Sequence, residues 1–313
     1  MERTRLKFSN RAEWLAARSQ GIGASEVATI VGLNKWETPY QLWRRKLGMD
    51  APKEETFAMK AGHYLEDAVA KFYSDASGNE IINASVEDFM FINKEKPFLR
   101  VSPDRTFWLP NMAHNDDNKG ILECKTTQKV IDPEDLPKHW FCQVQMNLGV
   151  AGYEHGSLAW LTAGRDFGYC DIDFDADFYG WLVDEVEKFW TDNVLGKQEP
   201  DAISVNDVLI KYNRHLDGKY IEVGDDIFEA YTDLKDLKKQ IAALDERKET
   251  LEARIKLAFG DAEAITYGGD TIATWKAPKP SKKFDAKAFC EANPKLAEEF
   301  TTEVQGARRF LLK

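Results

Sequence analysis

Two short stretches hold residues able to do chemistry together: Pro103-Asp104 and, nineteen positions on, Glu123-Cys124-Lys125. The second lies in Gly120–Thr126, an apolar run that reads as a buried strand. Side chains alternate faces along a strand, so Glu123 and Lys125 point the same way. With Asp104 at the end of a neighbouring strand, two carboxylates and an ammonium converge. Burying such groups is costly without compensation, and a divalent cation between the two acids supplies it. Mg²⁺ favours oxygen ligands, commonly one or two carboxylates with water and substrate phosphate. The backbone carbonyl of Cys124, between the two site residues, offers another oxygen. Such an ion acidifies a water and offsets charge on a phosphate, while Lys125 takes the water's proton or holds the water in place. That is chemistry for cutting phosphodiester bonds. A Glu-x-Lys pair alone is also common as a surface ion-pair ladder; the preceding Pro-Asp favours the site.

Other residues can join. Gln143 lies on the next helix and shares a face with His139 and Asn147, while Gln145 points elsewhere. A glutamine facing the site would hold a water or a ligand. Glu66, beside the apolar stripe of an earlier helix, is a further acid. Arg18 and Ser25 flank Gly21-Ile22-Gly23, where an arginine, a hydroxyl and open backbone N–H groups can take a terminal phosphate; a plain turn fits the glycine spacing as well. Trp14, Trp36 and Trp43 either stack on bases or fill a core.

The elements that must position these groups follow from pattern. Residues 9–19 read as a helix capped by Ser9 with Trp14 and Leu15 inward, and Thr38-Pro39 opens another. A longer helix spans about Thr56 to Ala76, with Leu65, Val69 and Phe72 inward and Gly78 as its stop. Strands are expected near Ile81–Ile92, Phe98–Ser102 and Gly120–Thr126, the last two paired as a hairpin across the polar segment Pro110–Lys119. A helix over Pro137–Ala151, strands over Ser157–Thr162 and Phe167–Phe174, and an amphipathic helix over Asp177–Leu195 complete a mixed α/β sheet with helices on its faces. The expected division is a catalytic domain over residues 1–199 and an extension over 200–313, with a helix at 231–259 and a basic tail. Within that helix Leu234, Leu237, Ile241, Leu244, Lys248, Leu251, Ile255 and Ala258 alternate three and four apart. That pattern fits a coiled coil, within the chain or between subunits, or a helix docked on its own domain.

Composition bounds the rest. A chain of 313 residues, 43% hydrophobic and 30% charged, builds a globular core. No apolar run approaches the roughly 20 residues of a membrane helix, so no membrane partner is expected. Four scattered cysteines without a Cys-x-x-Cys pair point to free thiols in a reducing cytoplasm rather than a zinc or iron–sulfur site. The net charge of −11 argues against indiscriminate coating of nucleic acid. Its distribution is uneven: residues 1–48 carry +5, residues 49–230 carry −18 and residues 276–313 carry +4. If nucleic acid binds, the basic ends are expected to supply much of the phosphate contact; a simply uneven surface charge fits equally well.

Pro103-Asp104 with Glu123-Cys124-Lys125 resembles the PD-(D/E)xK nuclease signature. Three further stretches make the chain similar to YqaJ-type viral recombinases, relatives of lambda exonuclease: Trp14-x3-Arg18-x6-Ser25-Glu26-Val27, Gly62-His63-Tyr64-Leu65-Glu66 and Gln143-Val144-Gln145. The resemblance covers about residues 9–195. It implies a PD-(D/E)xK restriction-endonuclease-like core. It implies Mg²⁺ (or Mn²⁺) on Asp104, Glu123 and the Cys124 carbonyl, with Lys125 serving the water and Glu66 and Gln143 completing the site. Arg18 and Ser25 match positions that meet a 5′-phosphate. The implied activity is 5′-to-3′ digestion of one strand of duplex DNA from its ends, leaving 3′ single strands for an annealing protein during phage-type recombination. A homo-oligomer is also implied, with a trimer among the possibilities, as is a phage or prophage gene acting in a bacterial cytoplasm. Two other readings remain open: a metal-dependent endonuclease on structured or single-stranded DNA, and a non-catalytic interaction protein.

Overall fold

The computed structural model describes residues 2–51, 55–82, 89–115, 118–303 and 306–313. The chain forms two compact units, Met1–Lys211 and Tyr212–Lys313.

In the first unit, strand β1 (Arg3–Lys7) precedes three short helices, α1 (Arg11–Ser19), α2 (Ala24–Ile30) and α3 (Pro39–Lys46). The α1 cap is Asn10, whose side chain takes the Glu13 N–H, rather than Ser9; the Ser9 N–H instead donates to the Glu13 carboxylate. Thr38 caps α3 with Pro39 as its first residue, as expected. Helix α4 (Phe57–Ser77) ends at Gly78, whose φ of 75° suits a residue without a Cβ.

Then come β2 (Glu80–Ile81), β3 (Phe89–Asn93), β4 (Arg100–Val101), β5 (Arg105–Trp108) and β6 (Lys119–Thr127). Residues 83–88 of the strand expected at Ile81–Ile92 lie outside the described residues. Helix α5 (Lys138–Ala151), the hairpin β7 (His155–Thr162) and β8 (Asp166–Asp173), and α6 (Ala176–Lys188) follow. Helix α6 runs on into a π-helical turn, Phe189–Leu195. Ala163 and Gly164 turn the hairpin with φ of 51° and 68°, the left-handed pair that matches strand twist, within the three-residue loop between Thr162 and Asp166.

The central sheet has the order β2-β5-β6-β7-β8, with β6 and β7 parallel and the other pairs antiparallel. This is the mixed sheet expected from the sequence. Alternation along β6 sends Ile121 to the core beneath α2, α5 and α6, and Leu122 to a smaller core beneath α4. A Cβ at Gly149 of α5 would sit 2.2 Å from the Tyr179 ring of α6, so glycine there permits the close packing of those helices.

The structure differs from expectation in three places. The 98–102 segment does not pair with β6: β4 joins β1 and β3 in a separate antiparallel sheet, and β5, a strand absent from the sequence reading, is the neighbour of β6. Arg105 alternates poorly with its apolar neighbours, which hides β5. Leu15, Leu65 and Phe72 are 48%, 38% and 47% exposed, and α4 instead turns Val69, Ala70 and Tyr73 inward. Residues 200–211 belong to the first unit. Helix α7 (Val205–Lys211) buries Asp207, which accepts from the Thr38 hydroxyl at 2.9 Å and the Gln41 amide at 2.8 Å.

The second unit holds α8 (Asp225–Phe259), a hairpin of β9 (Ala264–Tyr267) and β10 (Asp270–Thr274), and short helices α9 (Ala286–Ala292) and α10 (Pro294–Glu299). Phe259 packs edge-on to Trp275 at 5.9 Å. No helix among the described residues is long and apolar enough to cross a membrane.

Candidate active site

The site exists because β5 is shorter than β6. Their ladder stops at Arg105 opposite Leu122, whereas β7 accompanies β6 on the other side as far as Thr127. From Cys124 onward the β5 side of β6 has no strand, and Asp104, the residue before β5, takes its place. Its Oδ2 accepts the Cys124 N–H at 2.7 Å. The N–H and C=O of one strand residue point to the same edge, so the Cys124 carbonyl is aimed to Asp104's side.

Glu123 is 1% exposed and faces α5. Its Oε1 accepts from Lys125 Nζ at 2.7 Å and from the Gln143 amide, and its Oε2 accepts from Asn147 Nδ2 at 3.0 Å. Lys125 Nζ also donates to Gln143 Oε1 at 2.9 Å. Asp104 and Glu123 are within hydrogen-bonding reach of each other. Burial first, and the Asp104 charge second, push Glu123 up to about 8. Burial likewise raises Asp104. Two buried acids that resist ionising together are the condition a divalent cation relieves.

Glu66 comes from α4 on the other side of the sheet, its carboxylate bonded to the buried Arg105. Arg105 also donates to the Asp104 carbonyl and to Asp67. Burial and then Asp104 raise Glu66 to about 7, against the pull of Arg105. Among the described residues no three Asp, Glu, His or Cys side chains are arranged to hold a metal by themselves. Two carboxylates plus one carbonyl suit an ion that keeps several waters, as Mg²⁺ does. The four cysteines are free, and burial raises the Cys124 thiol well above its ordinary range. Only the Cys124 backbone is therefore suited to a hard cation.

A second charged cluster lies at α1–α3. Arg18 donates to the Ser25 hydroxyl at 2.8 Å and stacks over Trp14 at 5.0 Å. Beneath them Glu26 is 4% exposed, with Lys46 at 2.7 Å, Arg45 at 2.9 Å and the Gly23 N–H at 2.9 Å. Burial opposes its ionisation, yet Lys46, Arg18 and Arg45 outweigh that and hold Glu26 at about 2. Ile22 bridges to the 98–100 segment, and the Trp14 indole donates to Ser102 at 3.1 Å. The cluster is thus tied to the chain that leads into Asp104.

Residues 13–154 match the YqaJ-like viral recombinase domain. The chain is also 33% identical over 318 residues to the uncharacterized protein YqaJ of Bacillus subtilis (strain 168), covering 97% of this chain and 94% of the relative. The chain belongs to the YqaJ family. Among solved structures it is similar to the alkaline exonuclease LHK-Exo of Laribacter hongkongensis, with TM-score 0.46, 17% identity, and 59% of this chain and 93% of that one covered. A phage-related exonuclease of Haemophilus somnus 129PT gives TM-score 0.40 and 13% identity over 57% and 96% of the two chains. In this family member the candidate site gathers two carboxylates, a lysine and a glutamine at one edge of the sheet.

In this YqaJ-family member Asp104, Glu123, Lys125 and Gln143 meet, and Glu66 joins them through Arg105. Arg18 and Ser25 meet each other. Gln145 points away, bonding the Asp173 carbonyl and the Asp175 N–H. The two carboxylates raise Lys125 despite burial, so it is a cation in this arrangement. Trp14 and Trp43 are core, while Trp36 is 71% exposed with its ring edge-on to His139 at 5.4 Å. Two site residues had no role assigned from the sequence. Asn147 stood on the Gln143 face, and its four-residue spacing was the available signal. Arg105 follows Asp104 directly, but nothing in the sequence paired it with Glu66.

Proposed function

We propose that this chain is a Mg²⁺-dependent (or Mn²⁺-dependent) 5′-to-3′ exonuclease on double-stranded DNA, leaving 3′ single strands for phage-type recombination. The observation that carries the proposal is the convergence of Asp104, Glu123, Lys125 and Gln143 where β6 outruns β5.

Asp104, Glu123 and the Cys124 carbonyl are the residues that would hold the ion. When bound, the ion supplies acidification of a water and neutralisation of charge on the phosphate. Lys125, as an ammonium, orients the attacking water and stabilises negative charge that builds on phosphorus-bound oxygens. Gln143 fixes both Lys125 and Glu123, and Asn147 holds the other Glu123 oxygen, so neither needs to reorganise during reaction. Arg105 holds Glu66 beside the pair as a reserve acid, within reach of a second, water-mediated ion.

Polarity rests on the α1–α3 cluster. Arg18 and Ser25 present a donor and a hydroxyl for a terminal 5′-phosphate, and the surplus of cations around Glu26 favours an anion there. The substrate is therefore a duplex end. Family resemblance supports a single-strand annealing protein as the recipient of the product, a homo-oligomer that keeps hold of its DNA, and action in a bacterial cytoplasm.

Digestion of linear duplex labelled at either 5′ or 3′ ends tests the reading. With Mg²⁺ the 5′ label is released first as mononucleotide, and chelator stops release. Early release of the 3′ label would reverse the polarity, and nicking of a covalently closed circle at the same rate would make the enzyme an endonuclease.

A further inference from the structure

We infer that α8 pairs with α8 of a second copy of this chain as an antiparallel two-helix coiled coil. The inference stands on this helix alone and does not depend on the nuclease reading.

Helix α8 has 35 residues, about 52 Å at 1.5 Å per residue. Phe259 at its C-terminal end is its one buried residue among those described. Its heptad positions are open to water: Leu237 is 53% exposed, Ile241 57%, Leu244 63% and Ile255 47%. The chain end reaches only its flank, where the Lys313 carbonyl accepts from the Tyr231 hydroxyl at 2.6 Å. The ion pairs Asp236–Lys239, Asp245–Lys248 and Glu252–Lys256 are exposed and local, supporting only the isolated helix. They do nothing for the apolar stripe. A stripe at 3.5-residue spacing matches the groove presented by a second copy of itself.

The heptad extends back to Ile227 and Ala230, and the core layers decide the orientation. Side by side in parallel register, Ala230 would meet Ala230, Ala258 would meet Ala258 and Lys248 would meet Lys248. That leaves two small layers and one like-charge layer. Turned antiparallel about a centre between Ala242 and Ala243, every layer is complemented. Ile227 meets the partner's Ala258, Ile255 meets the partner's Ala230, Leu234 meets the partner's Leu251, and Ile241 meets the partner's Leu244. Lys248 then sits opposite the partner's Leu237, clear of its own copy, and its stem covers apolar surface while the ammonium stays wet. Matching large residues to small across a layer is what a filled core requires. Flanking charges suit this pairing as well: Asp233 falls beside the partner's Arg254, and Lys238 beside the partner's Asp245. Charges alone would also allow the parallel form, so the layers carry the assignment.

Sedimentation of the full chain at micromolar concentration tests this. The wild type is expected at twice the mass of Ile241→Asp, a change at a 57%-exposed position that spares the fold, with helical circular dichroism and nuclease activity retained. Asp233→Arg is expected to weaken the dimer roughly tenfold, and Asp233→Arg with Arg254→Asp to restore it. In a parallel pair the double variant would stay weak, because the guanidinium introduced by Asp233→Arg would then face Lys238. Equal mass for wild type and Ile241→Asp, or no recovery in the double variant, would overturn the assignment. A wild type that is already monomeric and binds an annealing protein through this stripe would do so too.

Discussion

Two buried acids in the first unit have opposite surroundings, and the contrast separates what each region is built to bind. Glu123 is 1% exposed and Glu26 4%. Glu123 shares its pocket with a second carboxylate and one lysine and is pushed up to about 8. Glu26 is ringed by Lys46, Arg18 and Arg45 and is held at about 2. The first pocket holds more carboxylate than ammonium, a surplus that the proposed function gives to a cation. The second holds Arg18, Arg45 and Lys46 against Glu26 and Glu37, a surplus of one cation that the proposed function gives to an anion. The proposed function, a metal-dependent nuclease that grips a phosphate end, calls for one of each, and the two pockets lie on connected segments.

The largest test of the contrast lies in the acidic pocket. Lys125→Ala should retain duplex binding and lose at least about a hundredfold in turnover, checked by pairing a binding titration with single-turnover digestion. Equal losses of binding and turnover would make Lys125 structural.

The basic pocket should respond differently. Arg18→Ala removes the proposed contact to a terminal phosphate and should erase most of any preference for 5′-phosphorylated over 5′-hydroxyl ends, about a tenfold effect at one charge-assisted hydrogen bond. The rate on the unphosphorylated duplex should hardly change, which separates an end-reading residue from a chemical one.

Stability against acid sharpens the comparison further. Because Glu26's folded pKa lies near 2, below the ordinary 4.5, its ionised form contributes stability that is fully present above 4.5 and is lost as pH falls toward 2. At one unit per 1.36 kcal/mol the contribution is about 3 kcal/mol at most. Urea midpoints of the wild type should therefore fall across that window, and those of Glu26→Gln should be lower at neutral pH and flatter below it.

A smaller effect is expected at Trp36. Its exposed ring, edge-on to His139, offers a stacking surface beside α5. Trp36→Ala should weaken binding to frayed or single-stranded ends by about 1–2 kcal/mol and leave intact duplex binding nearly unchanged, as read by fluorescence anisotropy.

What could be read before the fold was known follows the same division. Strand alternation put Glu123 and Lys125 on one face, and helix spacing put Asn147 with Gln143, because both are local rules of period 2 or 3.6. The long helices and the β7–β8 hairpin were legible for that reason. The pairing of β4 and β5 was not, since which strands meet is decided by packing far along the chain, and a buried arginine disguised β5. Arg105 became meaningful only once α4 brought Glu66 to it. Leu65 and Phe72 were misplaced because α4 lies on its core through a stripe rotated toward Ala70 and Tyr73.

Central to the proposed chemistry is a divalent ion held between Asp104 and Glu123. Titrating Mn²⁺ into wild-type protein and Asp104→Asn while following free Mn²⁺ by electron paramagnetic resonance measures this without any nuclease assay. Saturable binding by the wild type that is lost in Asp104→Asn is the expected result; undiminished binding in the variant would contradict it.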